Sequence, residues 1–397
     1  MTAYLNALGL VCALGRGQAD VAARLLAGDC SGMQPAADWV PGRCLPVGAV
    51  RGVLPTVPLA EHHSRNNQLL YAAALQIEPA IRAAIERHGP QRVAVVIGTS
   101  TSGIDEASAD IAYSLKAGQF PAHYRYDQQA LSAPAEFLAD WLQLSGPAYV
   151  ISTACTSSGR ALMSARRLLQ LGLCDAVLCG GVDTLCGLTL NGFSALEAVS
   201  DQRCNPFSAN RAGINIGEAA ALFLMTREAS AEGPSIALLG AGASCDAHHI
   251  SAPDPTGNGA LQAMAKALDN AGLTAAHIGY LNLHGTATAH NDAMESQAVH
   301  HLFTGGVPCS SSKPMSGHTL GAAGALEAAF CWLVLSGHNP LGLLPPHVWD
   351  GQADPLLPTL DLVTGQHRLS TDRPRRLMSN SFAFGGNNVS LILGDAP

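Results

Sequence analysis

The chain has 397 residues, 48% of them apolar and only 13% charged. That length exceeds one ordinary core and predicts two domains or a duplicated one, and the apolar share argues against disorder and for a large core with more surface hidden at a subunit interface. Thirty acidic residues against twenty-two basic ones give a net charge of −8 with no basic run, which argues against nucleic-acid binding and leaves an acidic partner only a local basic patch to dock on.

In chain order, residues 1–15 are apolar, lack a basic leader and are interrupted by Asn6, so they predict a first β-strand and not a secretion signal. Residues 67–87 are rich in Ala, Leu and Ile with polar side chains spaced to one face, which predicts a helix. Short buried strands are predicted over 93–97, 148–151, 176–178, 220–224, 236–239 and 389–393, and further helices over 157–171 and 259–271. This alternation predicts an α/β chain with largely parallel sheets covered on both faces. The polar, Gly- and Pro-bearing segment 227–234 divides the chain, so two halves are expected, 1–232 and 233–397. Each half carries a small-residue turn leading into a helix, one around Cys155 and one beginning at His318. The apolar run 328–335 is far shorter than the ~20 residues a membrane span needs. The eleven cysteines form no CxxC pair and have no zinc-finger spacing to histidine, so neither a disulfide framework nor a bound metal is expected. Cys174, Cys179 and Cys186 read as small core residues, in keeping with a reducing cytoplasm.

Three segments carry candidate chemistry. In AYVISTACTSSGRALM a β-rich run ends near Ser152 and a helix follows, with Cys155 at the junction. Unpaired N–H groups at a helix start favour a thiolate, and Ser157, Ser158 and Gly159 leave room for a substrate. Taken singly, such a cysteine is as readily a core residue, and the serines as readily helix caps. In YLNLHGTATAHND an apolar strand delivers His284 into a loop of small and hydroxyl residues. In SSSKPMSGHTLGAAGALEAAF, Lys313 stands five residues before His318, and Glu327 interrupts the apolar face of the helix that follows. A thiolate can store an acyl group as a thioester, and two imidazole N–H groups can hold one thioester carbonyl while a carboxylate leaves as CO₂. Lys313 and Glu327 would orient the imidazoles. The glycines at 240–242 are too weak a signal for a nucleotide site, and there is no P-loop sequence.

TACTSSGRAL, HGTATAHND, SSKPMSGHTLGAAGALE and SNSFAFGGNN, in this order and with CNPFSANRAGINIGEAAALFLM between the first two, resemble the signature blocks of the elongating β-ketoacyl-acyl-carrier-protein synthases over essentially the whole chain. The resemblance implies the thiolase fold, five layers αβαβα built from two duplicated halves. It implies Cys155 as the acyl-accepting nucleophile, His284 and His318 as the pair acting on a malonyl thioester, Lys313 as their support and Glu327 as its structural partner. Thr286 and Thr288 resemble the hydroxyls that hold the pantetheine arm, and Asp292 the acid that closes their loop. Phe384 resembles a gate whose backbone N–H, with that of Cys155, forms an oxyanion hole; Phe193 resembles a second gating aromatic. The implied reaction is decarboxylative condensation, with no metal and no cofactor beyond the phosphopantetheine arm of an acyl carrier protein. The implied assembly is a homodimer, or a heterodimer with a ketosynthase-like chain-length factor.

Ala287 and Ala383, with Ala219 and Ala220, stand where the family carries glycine. A methyl at 383 is expected to stiffen the gating loop and one at 287 to narrow the pantetheine channel, which points to a specialised polyketide or aryl-polyene synthase. The acyl tunnel is expected from residues 100–126. A thiolase is disfavoured because SFAFGG holds no cysteine, and an initiating synthase because His318 is present. A chain-length factor, a scaffold subunit, resembles these enzymes but lacks the nucleophile that Cys155 supplies. Arg65, Arg203 and Arg211 form either a docking patch or internal pairs, and the second is favoured for each taken singly.

Overall fold

The computed structural model describes residues 2–230 and 235–396. Its principal strands are β1 (Tyr4–Cys12), β2 (Val93–Gly98), β3 (Ala148–Ile151), β4 (Ala176–Asp183), β5 (Ala219–Thr226), β6 (Ile236–Cys245), β7 (Tyr280–Asn282), β8 (Cys309–Ser310), β9 (Arg376–Phe382) and β10 (Asn387–Asp395). They lie in the order β8-β7-β9-β10-β6-β1-β5-β4-β2-β3. The five strands on either side of the β6–β1 junction repeat one pattern. In the first half β3, β2 and β4 are parallel, and β5 and β1 follow antiparallel. In the second, β8, β7 and β9 are parallel, and β10 and β6 follow antiparallel. The halves meet through Tyr4 and Ala237. The sheet is therefore mixed, not largely parallel as expected. The antiparallel strand β5 is buried along nearly its whole length, so it lacks the alternation that marks a half-exposed antiparallel strand.

The helices that position the site are α1 (Arg65–Gln76), α2 (Glu78–His88), α3 (Ile104–Ala117), α4 (Ser157–Gln170), α5 (Gly187–Ala195), α6 (Asn258–Ala271), α7 (Ala289–Leu302) and α8 (Ala323–Leu335). α8 packs on α4 and touches strands of both halves, so these two helices form a middle layer. α1 covers β1 and β5 on one outer face, and α6, backed by α7, covers β6 and β10 on the other. This is the five-layered αβαβα stack. Every residue of α8 is buried, which explains why it is apolar all round. α4 and α8 cross where Gly159 meets Gly324; a Cβ on Gly324 would stand 2.7 Å from the Gly159 nitrogen, so no side chain fits there.

The helix predicted over 67–87 is two helices, α1 and α2, meeting at Ile77, with Pro79 in the first turn of α2. A proline there cannot donate back into α1 and begins a new helix. The helix expected from His318 begins only at Ala323, after a tight turn over Leu320–Ala322. The expected division at 232/233 lies outside the described residues. No helix among the described residues is long and apolar enough to cross a membrane.

Candidate active site

β3 brings the chain to Thr153, and Ala154 then adopts φ 52°, in the left-handed region. Cys155 emerges from that turn at the entrance of α4. The turn is braced locally: the Thr153 N–H donates to Ser157 Oγ (2.9 Å), and the Ser157 hydroxyl donates to the Ala154 carbonyl (2.5 Å). Ser158 Oγ accepts from the Ala325 N–H of α8 (2.8 Å), tying the two middle-layer helices together. Cys155 Sγ lies 3.0 Å from His318 Nε2. Burial pushes the Cys155 thiol up to about 12 against the pull of Lys313. Losing water acts on the anion against the helix-entrance effect expected to favour a thiolate. The resting pair is a thiol facing an imidazole.

His318 is held by the first half of the chain. Its N–H donates to the Asn215 carbonyl (2.7 Å), and its own carbonyl accepts from the Gly217 N–H (2.9 Å). Gly217 passes Gly317 so closely that a Cβ on Gly317, which has φ 71°, would sit 2.9 Å from the Gly217 Cα. His284 follows β7, and the N–H groups of His284 and Gly285 donate to the Glu295 carboxylate at 2.8 and 2.7 Å. The two imidazole rings stand edge to face, 5.2 Å apart. Lys313 Nζ lies 2.5 Å from Glu327 Oε1 and 3.5 Å from His284 Nδ1. An ammonium donor at Nδ1 leaves the His284 ring proton on Nε2. Burial, reinforced by the Lys313 charge, holds both histidines well below the usual range, so both rings are neutral at neutral pH. Burial pushes the Glu327 carboxyl up to about 7 despite Lys313.

A cavity of about 490 Å³ leads away from Cys155, His284 and His318, past Thr286, Thr288 and Phe384. The hydroxyls of Thr286 and Thr288 are 2.9 Å apart. Asp292 accepts from the N–H groups of Ala287 (3.1 Å) and Phe207 (2.8 Å), fixing the loop from its buried side. Phe384 sits half-buried on the turn between β9 and β10, its ring 5.6 Å from Phe193 of α5.

One expectation about a methyl group needs correction. Ala287 is fully buried with φ 64° and is not among the cavity-lining residues, so its methyl does not narrow the channel. Ala383 lines the cavity but is not in the left-handed region; Gly385 and Gly386, at φ 86° and 77°, carry the turn. Ala219 and Ala220 lie within β5. Arg65 pairs with Glu218 and Arg211 with Asp354, each at 2.5 Å, while Arg203 lies beside Cys30. Residues 100–126 contain α3, which leaves Ile111, Tyr113 and Leu115 exposed.

Two of the buried carboxylates that escaped the sequence reading brace the loops beside the site. One is Glu295, described above. The other is Asp183 at the end of β4, which accepts from Thr99 Oγ1 (2.6 Å), Ser100 N (2.7 Å), Thr101 N (2.9 Å) and Gly321 N (2.6 Å). It joins the loop after β2 to the segment after His318. An acid three residues beyond Asp292 on one helix face, and an acid closing the apolar run AVLCGGVD, were the available signals.

Residues 61–231 match the family described as "Beta-ketoacyl synthase, N-terminal domain", and residues 236–347 match "Beta-ketoacyl synthase, C-terminal domain". The 3-oxoacyl-[acyl-carrier-protein] synthase 2 of Rhizobium meliloti (strain 1021) is 38% identical over 259 residues, and that of Synechocystis sp. 35% identical over 256. These matches take in 61% and 60% of this chain, and the chain spans 59% of the length of each relative. Among solved structures, a chain of the ketosynthase ApeO in complex with its chain length factor ApeC, from Xenorhabdus doucetiae, superposes with a TM-score of 0.92 at 47% identity, covering 100% of this chain and 98% of that one. A β-ketoacyl synthase from Burkholderia phymatum STM815 superposes with a TM-score of 0.88 at 28% identity, covering 100% of both chains. The chain belongs to the β-ketoacyl synthase family and has its thiolase fold.

Proposed function

We propose that the chain is an active β-ketoacyl-acyl-carrier-protein synthase, in fatty-acid or polyketide elongation, with Cys155 as its nucleophile. The observation that carries this reading is the 3.0 Å approach of Cys155 Sγ to His318 Nε2 beside a second neutral imidazole backed by Lys313 and Glu327. In the first step the Cys155 proton passes to His318, and sulfur attacks the thioester carbonyl of an acyl-carrier protein. The N–H groups of Cys155 and Phe384 hold the oxyanion, and the pantetheine thiolate leaves with the proton from His318. Malonyl-carrier protein then enters, its arm held by Thr286 and Thr288. Once His318 has returned to its Nε2–H tautomer, imidazole N–H groups of His284 and His318 hold its thioester carbonyl while the bond to the carboxylate breaks and CO₂ leaves. The resulting carbanion attacks the stored acyl carbonyl, the Cys155–acyl bond breaks, and the Cys155 sulfur leaves as a thiolate that takes up a proton from solvent. Phe193 and Phe384 gate entry, and Lys313, Glu327 and Asp292 position the groups that react. The reaction uses no metal and no cofactor of the chain's own.

An acyl carrier protein and a second ketosynthase-like chain are the proposed partners, as homodimer or as heterodimer with a chain-length factor. The likeness to ketosynthase–chain-length-factor complexes supports this pairing. So do the edge position of β3 in the sheet and the exposed apolar side chains of α3, such as Leu115 at 83%. The proposed role is a specialised polyketide or aryl-polyene one, and eleven free thiols suit a reducing cytoplasm. Intact-mass spectrometry across a panel of carrier-bound acyl chains tests the reading, with Cys155→Ala as blank. Acyl transfer to Cys155 is expected, with polyunsaturated chains preferred over saturated ones. An inert Cys155 would assign the chain to the scaffold class.

A further inference from the structure

Cys155, His284 and His318 offer a sulfur and two imidazole nitrogens within 4.8 Å of one another, all buried, and all three line the cavity described above. One thiolate, two neutral imidazoles and a fourth position open to the cavity make the donor set of a tetrahedral zinc site left open on one side. We propose that the chain binds a thiophilic divalent cation of the zinc class through these three side chains, and that this binding reversibly blocks acylation of Cys155. The inference goes beyond the condensation reading and adds a ligand that competes for the same sulfur.

The exchange balances simply: the cation forms a bond to Sγ, and the thiol proton leaves to solvent. His284 binds through Nε2 with its ring proton moved to Nδ1; Lys313 then gives up its 3.5 Å contact there and keeps its 2.5 Å contact with Glu327. His318 Nδ1 is buried with no hydrogen-bond partner among the described residues, so the site lacks the outer acceptor that tightens resident zinc sites. A reversible inhibitory site follows, and not a permanent structural one. An acyl group on Cys155 removes the thiolate, so acylation and metal binding exclude each other.

Cobalt(II) titrated into the purified chain tests this directly. A sulfur-to-cobalt charge-transfer band in the near ultraviolet is expected, saturating at one ion per chain and displaced by Zn²⁺. Zn²⁺ is also expected to slow alkylation of Cys155 by iodoacetamide on the order of tenfold or more, and a chelator to restore it. Cys155→Ser should abolish the band, and His318→Ala should weaken cobalt binding by about tenfold to a hundredfold. A variant lacking the exposed pair His248 and His249 should retain the band. Thermal melts of the metal-free variants establish that each is folded. The proposal is overturned by a wild-type chain without the band, by a band that survives in Cys155→Ser, or by one lost with His248 and His249. Cobalt binding is read without carrier or malonyl substrate. A chain that shows the band yet never acylates therefore refutes the condensation reading and leaves the metal site standing.

Discussion

The two halves of the molecule set a strand, a left-handed turn and a small-residue helix at the same place in the same topology, yet present opposite chemistry. In the first half the left-handed residue is Ala154 (φ 52°), immediately before Cys155; in the second it is Leu320 (φ 51°), two residues after His318. The loops beside them also correspond. Asp183 receives the N–H groups of the loop after β2, and Glu295 those of the loop after β7. Burial then acts on the presented groups in opposite directions. It raises the thiol and lowers the imidazoles, leaving both neutral at rest. The halves differ most in packing and charge. α4 keeps a solvent face with Arg167 and Gln170 exposed, whereas α8 is buried throughout and carries Glu327 against Lys313. The two halves repeat one strand pattern, and the second carries the buried Lys313–Glu327 ion pair.

That contrast can be broken most severely at the sulfur. Cys155→Ala should lower condensation by at least about 10³-fold, measured as β-ketoacyl product, while the fold and melting temperature stay near those of wild type. Next in size, Lys313→Met leaves the Glu327 carboxyl buried without its cation. A loss of about 3–5 kcal/mol in chemical denaturation is expected, and the double variant with Glu327→Gln should recover a large part of it. Unchanged stability in the single variant would mean that the pair does not set the second half apart.

The neutral imidazoles give a smaller, pH-dependent effect. His318 is held well below its ordinary 6.5, so the unfolded chain takes up a proton below that pH that the folded chain refuses. Stability from this group is therefore full above pH 6.5 and is lost as pH falls. Relative to His318→Asn, wild type should lose about 1.4 kcal/mol per pH unit below 6.5 and show a constant difference above it. A constant difference at every pH would place a charged histidine in the folded site. The smallest effect belongs to Ala287→Gly. Relief of a left-handed alanine should raise stability by about 1 kcal/mol or less and leave kcat/KM unchanged, because the methyl faces away from the cavity.

The groups proposed to react could be singled out because each is announced by its own neighbours. Cys155 and His318 sit in runs of small residues at element ends, and His284 ends an apolar strand. What supports them was less legible, because the support is delivered from elsewhere. Glu295 lies in the ordinary string AMESQ, and its partners are two backbone groups in the loop eleven and ten residues before it and the side chain of Asn380. Asp183 receives donors from residues 99–101 and from Gly321, separations that no local pattern encodes. Strand direction was hidden for another reason: a strand buried on both faces reads alike whether its neighbour runs parallel or antiparallel. The burial of Cys155 was not legible, because a helix entrance is visible in sequence whereas complete burial is not.

Separating the two partial reactions tests the central division of labour most directly. Acyl transfer to Cys155 and release of CO₂ from malonyl-carrier protein can be followed independently in wild type, Cys155→Ala and His284→Ala. The account predicts that Cys155→Ala still releases CO₂ but takes up no acyl group, and that His284→Ala still takes up acyl while CO₂ release falls by about 10²–10³-fold. If Cys155→Ala accepts acyl chains, or if His284→Ala releases CO₂ at the wild-type rate, the assignment of attack to one half and assistance to the other is wrong.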